Sequence, residues 1–176
     1  MSYKQRILIF TIGLPRSGKT TVVNQLRGRF QQFVKISADD LRWLVYGHKF
    51  FSCGEDYVWA ARKTMLRYLL SQGFPVIVDE TNTTKERRND IIKYCRYEDY
   101  KIWGLFVNTS KETCIQRIYD EDTIEEVSLI KATERMYDQL NKYMYLSEGI
   151  DRLYEINEKE NELNSLIDNL QTEIFK

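Results

Sequence analysis

The sequence predicts an α/β protein in which helices cover both faces of a parallel β-sheet. Three observations support this prediction: five apolar runs of strand length alternate with stretches of helix length, a glycine-rich loop follows the first run, and the chain has 176 residues. This length suits a single domain, so we expect residues 1–176 to form one domain.

The elements are predicted in chain order from their apolar patterns. The first strand, at residues 6–12, is a β-branched apolar run typical of a strand that is buried on both faces. The other strands are predicted at residues 33–36, 75–78, 102–107 and 152–156. One helix is predicted directly after the glycine-rich loop, and the others at about residues 39–46, 56–71, 84–96, 110–119 and 124–145.

A last helix is predicted at about residues 158–175. Leucine and isoleucine recur on one of its faces, and glutamates in its first turns suit the helix dipole. We expect this helix either to cover the sheet edge or to bind a partner. The sequence predicts no oligomeric state.

The composition excludes several function classes. With 26 basic and 26 acidic residues the net charge is zero, so binding to nucleic acid would require a local basic patch. The three cysteines (Cys53, Cys95 and Cys114) form no C-x-x-C pair, which disfavours a disulfide framework or a zinc site. His48 is the single histidine, and we expect it to be a surface or packing residue. No segment is predicted to span a membrane, and we expect a cytoplasmic protein.

The glycine-rich loop matches the phosphate-binding pattern G-x-x-x-x-G-K-[ST] without a mismatch. Its two glycines allow successive N–H groups to point at phosphate oxygens, its lysine carries a charge for the β- and γ-phosphates, and its threonine can bind Mg²⁺. The following helix directs its positive end at the same phosphates. We therefore predict that a nucleotide binds here with Mg²⁺, at Gly13, Leu14, Pro15, Arg16, Ser17, Gly18, Lys19, Thr20 and Thr21.

The second strand is followed by a candidate catalytic pair. Asp39 would face the phosphates and accept the proton of a substrate hydroxyl, and Arg42, three residues later, suits a bidentate grip on a phosphate of the acceptor. The alternative is that Asp39 or Asp40 only caps the next helix and Arg42 lies in solvent. Ser37 could instead be the cap, which would leave both aspartates free.

Acidic residues also follow the third strand, at Asp79 and Glu80. A carboxylate at this strand end is the usual partner of Mg²⁺ or its water, so we predict that Asp79 and Thr20 hold the metal, with Glu80 as the second choice to Asp79. The alternative is a loop carboxylate without a role. Thr81 and Asn82 are expected to cap the next helix and to hold the acceptor crevice together.

Other candidates are less specific. Arg87 or Arg88 could contact a nucleic-acid phosphate, although a solvated charged face is an equal alternative. A lid is predicted at about residues 117–135, with Arg117 as the arginine that covers the transferred phosphate and Lys131 and Arg135 after it. The aromatic residues expected in one wall of the crevice could stack on a base or belong to the core: Trp43, Tyr46, Phe50, Phe51, Tyr57 and Trp59.

Together, these motifs resemble the kinase domain of phage-type polynucleotide 5′-kinases and the wider group of small P-loop kinases. The similarity spans residues 6–156 and includes a late Glu-Gly-Ile-Asp stretch at residues 148–151. It implies a three-layer P-loop NTPase fold with a five-stranded parallel sheet in the order 2-3-1-4-5. It also implies that Asp39 is the general base toward a 5′-hydroxyl and that Arg42 binds the phosphate of the acceptor.

The sequence departs from this family at two places. Residues 119–122 hold no second lid arginine, and Arg16 replaces a glycine that is common inside the phosphate loop. We expect a free-standing ATP- and Mg²⁺-dependent phosphotransferase whose acceptor is a polynucleotide 5′-hydroxyl. The alternatives are a kinase of a nucleoside, a modified DNA base or another small alcohol, and a regulatory nucleotide-binding protein without transfer activity.

Overall fold

The computed structural model describes residues 6–47, 52–121, 126–140, 148–157 and 160–174. Within them the strands are β1 (Ile7–Ile12), β2 (Val34–Ile36), β3 (Val76–Val78), β4 (Lys101–Val107) and β5 (Arg152–Ile156). The helices are α1 (Lys19–Arg29), α2 (Ala38–Tyr46), α3 (Glu55–Ser71), α4 (Lys85–Tyr97), α5 (Lys111–Tyr119), α6 (Glu126–Leu140) and α7 (Glu160–Ile174). Each predicted element is present, with ends shifted by a few residues.

The five strands form one sheet in the order β2-β3-β1-β4-β5, and every neighbouring pair is parallel. This order confirms the predicted P-loop NTPase topology. Because all strands run the same way, the segments that follow β1, β2 and β3 emerge at one edge of the sheet. The candidate residues lie in these segments.

The core consists of two layers, one on each face of the sheet. On one face, alternate β1 residues such as Leu8 and Phe10 pack with buried residues of α3 and α4. On the other face, Ile7 and Ile9 pack with α1 and α7. Leu166, Ile167 and Leu170 of α7 are buried there, so the last helix covers this face of the sheet, where the sequence predicted a helix at the sheet edge or on a partner. The predicted three layers are therefore present.

The start of α4 differs from the prediction. Thr84, and not Thr81 or Asn82, caps this helix: its side chain accepts a hydrogen bond from the Arg87 N–H. Asn82 has a left-handed backbone (φ 42°), which places it outside the helix. The predictions for His48, Phe50 and Phe51 lie outside the described residues.

Arg88 is a buried structural residue. Only 1 % of it is exposed, and its guanidinium forms a two-point ion pair with Glu148 at 2.7 and 2.8 Å. One of its nitrogens also donates to the carbonyls of Asn82 and Thr83, each at 3.1 Å. The option that Arg88 contacts a nucleic-acid phosphate was therefore wrong: this arginine joins α4 to the segment before β5.

Among the described residues, no helix combines the length and the apolar character that a membrane span requires.

The buried pair makes Arg88 and Arg87 a matched test of stability. Arg88→Ala should lower the free energy of unfolding by about 3–5 kcal/mol, because it leaves the Glu148 carboxylate buried without its partner. Arg87→Ala, in the same helical turn but exposed, should cost less than about 1 kcal/mol. Urea unfolding followed by circular dichroism measures both. Equal losses in the two variants would contradict the structural role of Arg88.

Candidate active site

The phosphate loop connects β1 to α1 and is held by backbone contacts. The Gly13 N–H donates to the Thr81 carbonyl at 3.0 Å, which joins the loop to the segment after β3. Gly13 has φ 152°, and a Cβ at this position would lie 2.8 Å from the Val107 carbonyl oxygen at the end of β4. Only glycine fits between these two strand ends. Gly18 (φ 99°) sits at the start of α1, as the motif requires.

Arg16 occupies the position in the phosphate loop where the resembling kinases commonly have glycine. Its backbone is left-handed (φ 61°), a conformation that glycine adopts without strain and that costs other residues on the order of 1 kcal/mol. Two residues of the predicted lid contact Arg16: Arg117 Nη1 donates to the Arg16 carbonyl at 3.1 Å, and Glu121 pairs with the Arg16 guanidinium. Arg117 thus contacts the loop directly, and an acidic residue neutralises the arginine that replaces glycine.

Lys19 lies deep in the loop, with 8 % of the residue exposed. Its ammonium donates to the Leu14 carbonyl and to Ser17 Oγ, the latter at 3.3 Å. Burial lowers the pKa of Lys19 to about 8, while the carboxylates of Asp79 and, more weakly, Asp39 act in the opposite direction. The strand-end acids therefore act on the lysine electrostatically.

Asp79 and Thr20 meet, as predicted for a metal site. The Thr20 hydroxyl donates to Asp79 Oδ2 at 2.9 Å, and Lys35 Nζ lies 3.7 Å from the same oxygen. Burial raises the pKa of Asp79, and the Thr20 hydroxyl and the nearby lysines oppose this rise. Glu80, the second choice, is instead paired with Arg62 at 2.9 and 3.0 Å. A hydroxyl and a carboxylate side by side fit Mg²⁺, which keeps several waters and phosphate oxygens as ligands.

Thr11, which sequence reasoning did not assign to the site, and Asn82, which was expected to hold the crevice together, join β1 to the segment after β3. The Thr11 hydroxyl donates to the Glu80 carbonyl at 2.7 Å and accepts from the Glu80 N–H at 3.0 Å. Asn82 Nδ2 donates to the Thr11 carbonyl at 2.8 Å. A threonine inside an otherwise apolar strand was the one available signal. These bonds fix Asp79 relative to the phosphate loop.

Asp39 and Arg42 lie together at the start of α2. Ser37 caps this helix by accepting from the Asp40 N–H at 3.4 Å, so neither aspartate is needed as the cap. The Asp39 side chain is 79 % exposed, and Arg42 Nη1 donates to it at 2.5 Å. Arg42 itself is 12 % exposed and is not a solvent residue.

Glu55, at the start of α3, was not predicted from the sequence. Its two carboxylate oxygens accept from Nε and Nη2 of Arg42, both at 2.7 Å, and from the Trp59 indole N–H at 3.2 Å. Hydrogen bonding to Arg42 lowers the pKa of Glu55. The guanidinium of Arg87 lies 4.4 Å from the centre of the Trp59 ring. We call Arg42, Glu55, Trp59 and Arg87 the Glu55 cluster.

These groups line one cleft of about 1720 Å³ at the carboxyl edge of the sheet. Its volume exceeds that of an ordinary small-ligand site of roughly 300–1000 Å³, so donor and acceptor fit together. Of the predicted aromatic residues, Trp43 and Trp59 line it, whereas Tyr46 packs against the core of α2 and α3. Of the lid candidates, Arg117 and Arg135 line it.

The cleft carries balanced charge. Among the described residues, six basic ones line it (Arg16, Lys19, Arg42, Arg87, Arg117 and Arg135). Six acidic residues of the same described part do so as well (Asp39, Glu55, Asp79, Glu80, Asp120 and Glu121). The described lining is therefore not a basic groove. The cleft is open near Asp39, whose side chain is exposed.

A family model described as an AAA domain (AAA_33) matches residues 8–146, well over half of the chain. The protein belongs to this AAA-domain family. No sequence among the curated proteins matches the chain. The matched range contains the phosphate loop and the ends of β2, β3 and β4, so the AAA domain includes the greater part of the cleft.

Solved structures share the fold of this AAA domain. Kti12 of Chaetomium thermophilum, in complex with ADP-AlF3, has a TM-score of 0.73 at 21% identity and covers 95% of this chain and 98% of its own. A structure of the PezAT toxin–antitoxin system of Streptococcus pneumoniae has a TM-score of 0.72 at 16% identity, covering 100% and 90%. A fungal RNA kinase has a TM-score of 0.57 at 18% identity, covering 96% and 87%. The expected resemblance to small P-loop kinases is confirmed.

Two glycines provide a matched test of the phosphate loop. Gly13→Ala should weaken ATP binding at least tenfold, because its Cβ would displace the loop from the ends of β3 and β4. Gly28→Ala lies in α1 with open space around its Cβ and should stabilise the fold by about 0.5–1 kcal/mol, with ATP affinity unchanged. Calorimetric titration and thermal unfolding measure the two effects. Unchanged affinity in Gly13→Ala would contradict the described loop geometry.

Proposed function

We propose that this protein is an ATP- and Mg²⁺-dependent phosphotransferase that transfers the γ-phosphate to the 5′-hydroxyl of a polynucleotide. The observation that carries the proposal is the position of Asp39, whose exposed carboxylate lines the same cleft as Lys19 and Asp79. A protein that only binds a nucleotide has no need for an exposed acid opposite the phosphates.

The donor half of the mechanism belongs to the phosphate loop. Lys19, moving from the Leu14 carbonyl to the nucleotide, would bind the β- and γ-phosphates, and the loop N–H groups would hold the rest of the triphosphate. Thr20 and Asp79 would hold Mg²⁺, which when bound neutralises the charge on the phosphates. Within the described residues no group of three or more His, Cys, Asp or Glu could hold a metal, which suits an ion bound largely by phosphate and water.

The acceptor half belongs to Asp39. Its carboxylate would accept a hydrogen bond from the acceptor hydroxyl, orient the oxygen toward the γ-phosphate and take its proton as the new bond forms. The exposure of this side chain leaves room for the end of a polymer. Arg117, which already contacts the phosphate loop, is the proposed lid arginine, and Arg135 is the other arginine that lines the cleft from this region.

The polynucleotide acceptor is supported by the open cleft and by the structural likeness to a fungal RNA kinase. The balanced charge of the cleft favours a second candidate, a kinase of a nucleoside or other small alcohol, because a long nucleic-acid track would require a basic surface. A polynucleotide that is held only at its end reconciles both observations.

Asp39 and its neighbour Asp40 allow a controlled test of this function. Asp39→Asn should lower kcat for transfer of labelled γ-phosphate by about 10²- to 10⁴-fold, with ATP affinity unchanged, because the amide cannot take the proton. Asp40→Asn, which loses a surface contact to Lys35, should stay within about threefold of the original rate. The acceptors are 5′-hydroxyl DNA, 5′-hydroxyl RNA and nucleosides.

Transfer only to nucleosides would favour the second candidate. Nucleotide binding without transfer to any acceptor would favour a regulatory protein. An unchanged rate in Asp39→Asn would remove Asp39 from the proposed role.

The proposed metal site has its own prediction. Asp79→Asn should raise the Mg²⁺ concentration needed for half-maximal transfer by at least about tenfold, because a neutral amide binds a hard cation poorly. Glu80→Gln serves as the control, since Glu80 is committed to Arg62 and should affect stability more than metal dependence. A greater change of metal dependence in Glu80→Gln would contradict the assignment.

A further inference from the structure

The sequence pointed to Arg42 as the phosphate-binding arginine of the acceptor, but the structure shows that this side chain is already engaged. The Nε and Nη2 edge, the one suited to a bidentate grip on phosphate, is bound by both oxygens of Glu55, and Nη1 is bound to Asp39. A phosphate could use the Nε and Nη2 edge only by displacing a carboxylate. Arg42 is therefore placed to hold Asp39.

Arg87 offers what Arg42 lacks. It is exposed, it lines the cleft, and among the described residues its side chain donates no hydrogen bond. Its guanidinium carbon lies 4.4 Å from the centre of the Trp59 ring, a cation–π contact that uses none of its N–H groups as hydrogen-bond donors to another side chain. The Trp59 ring is fixed in turn by its hydrogen bond to Glu55. Arg87 is thus a cation held on Trp59 in the cleft that the proposed general base, Asp39, also lines.

Folding does not account for Arg87 at this position. It lies in the first turn of α4, where the helix dipole disfavours positive charge. The negative charge of Glu55 partly offsets this effect of the dipole. Arg87 in turn helps to lower the pKa of Glu55, although Arg42 and Trp59 contribute more. The Glu55 cluster therefore holds two arginines around one glutamate. The guanidinium N–H groups of the second one, Arg87, make no hydrogen bond to a described residue.

We propose that Arg87, stacked on Trp59, binds the phosphate of an acceptor that carries a phosphate group beside its hydroxyl, and that Arg42 is a positioning residue for Asp39. This inference rests on the proposed function and narrows its substrate class. Nucleoside 3′-monophosphates and 5′-hydroxyl oligonucleotides share this chemistry, whereas nucleosides lack it.

The test compares each variant's preference for a nucleoside 3′-monophosphate over the matching nucleoside, as the ratio of kcat/KM values. The original protein should prefer the phosphorylated acceptor by about 10- to 100-fold, the size expected for charge-assisted hydrogen bonds. Arg87→Ala should bring this ratio close to one, mainly through KM for the phosphorylated acceptor. A 5′-hydroxyl dinucleotide run in parallel shows whether the phosphate of a polymer is recognised in the same way.

Two further variants separate the roles. Arg42→Lys should lower kcat on both acceptors alike and preserve the ratio, because it disturbs Asp39 and not the phosphate contact. Arg67→Ala is the matched control, since Arg67 also stacks on an aromatic ring, Tyr94 at 5.3 Å, but does not line the cleft. It should leave the ratio unchanged. Trp59→Leu should lower the ratio partially by removing the platform of Arg87.

Several outcomes would overturn the inference. They are the absence of a preference in the original protein, an unchanged ratio in Arg87→Ala, a ratio lost in Arg42→Lys but kept in Arg87→Ala, or an equal loss in Arg67→Ala. Equilibrium binding of the same two acceptors, measured by calorimetry, separates this inference from the proposed function. Binding that depends on Arg87 but is not followed by transfer would support the phosphate site and contradict the proposed kinase activity. Transfer with a preference that does not depend on Arg87 would support the kinase activity and contradict the phosphate site.

Discussion

The structure depends on how the phosphate loop is held between the ends of β3 and β4, the two strands that flank β1. Gly13 donates its N–H to the segment after β3 and lies against the last carbonyl of β4, so no side chain fits at this position. Thr11 and Asn82 make the same connection from β1 to β3. Because these contacts are made by backbone or buried polar atoms, the relative position of Lys19, Thr20 and Asp79 is set by the fold itself.

Much of this arrangement could be predicted from the sequence, because it follows from short-range patterns. The β1 run, the loop glycines and the apolar face of α7 each express a local rule, and the parallel sheet follows from their alternation. The predicted positions of Asp79 beside Thr20, and of Asp39 with Arg42, followed from the rule that parallel strands end at one edge.

The parts that could not be predicted depend on which side chains meet across the fold. The helical spacing places Arg88 on the same face of α4 as Ile91, Ile92 and Cys95, but no local pattern names its partner Glu148, which is sixty residues away. Glu55 likewise meets Arg42 from a different helix. Thr84 was missed as the α4 cap because Thr81, Asn82 and Thr84 are all acceptable caps, and only the left-handed backbone at Asn82 decides between them.

The charges of the cleft connect the proposed catalysis to the proposed acceptor. Carboxylates offset each of several arginines: Glu121 at Arg16, Glu55 and Asp39 at Arg42. The described lining of the cleft is thus as balanced in charge as the whole chain, which has no net charge. An arginine that is paired with a carboxylate can bind a phosphate only by giving up that partner. Specific contact at the end of an acceptor, not general attraction to a polyanion, is what such a surface can provide.

In the proposed mechanism, the γ-phosphate passes from ATP to the acceptor hydroxyl without an intermediate carrier. A single-turnover reaction can follow this transfer, with the protein in excess over γ-labelled ATP and a 5′-hydroxyl oligonucleotide present. The label should appear on the 5′ oxygen of the oligonucleotide within one turnover. Label that remains in ATP, or that appears as inorganic phosphate, would contradict this mechanism.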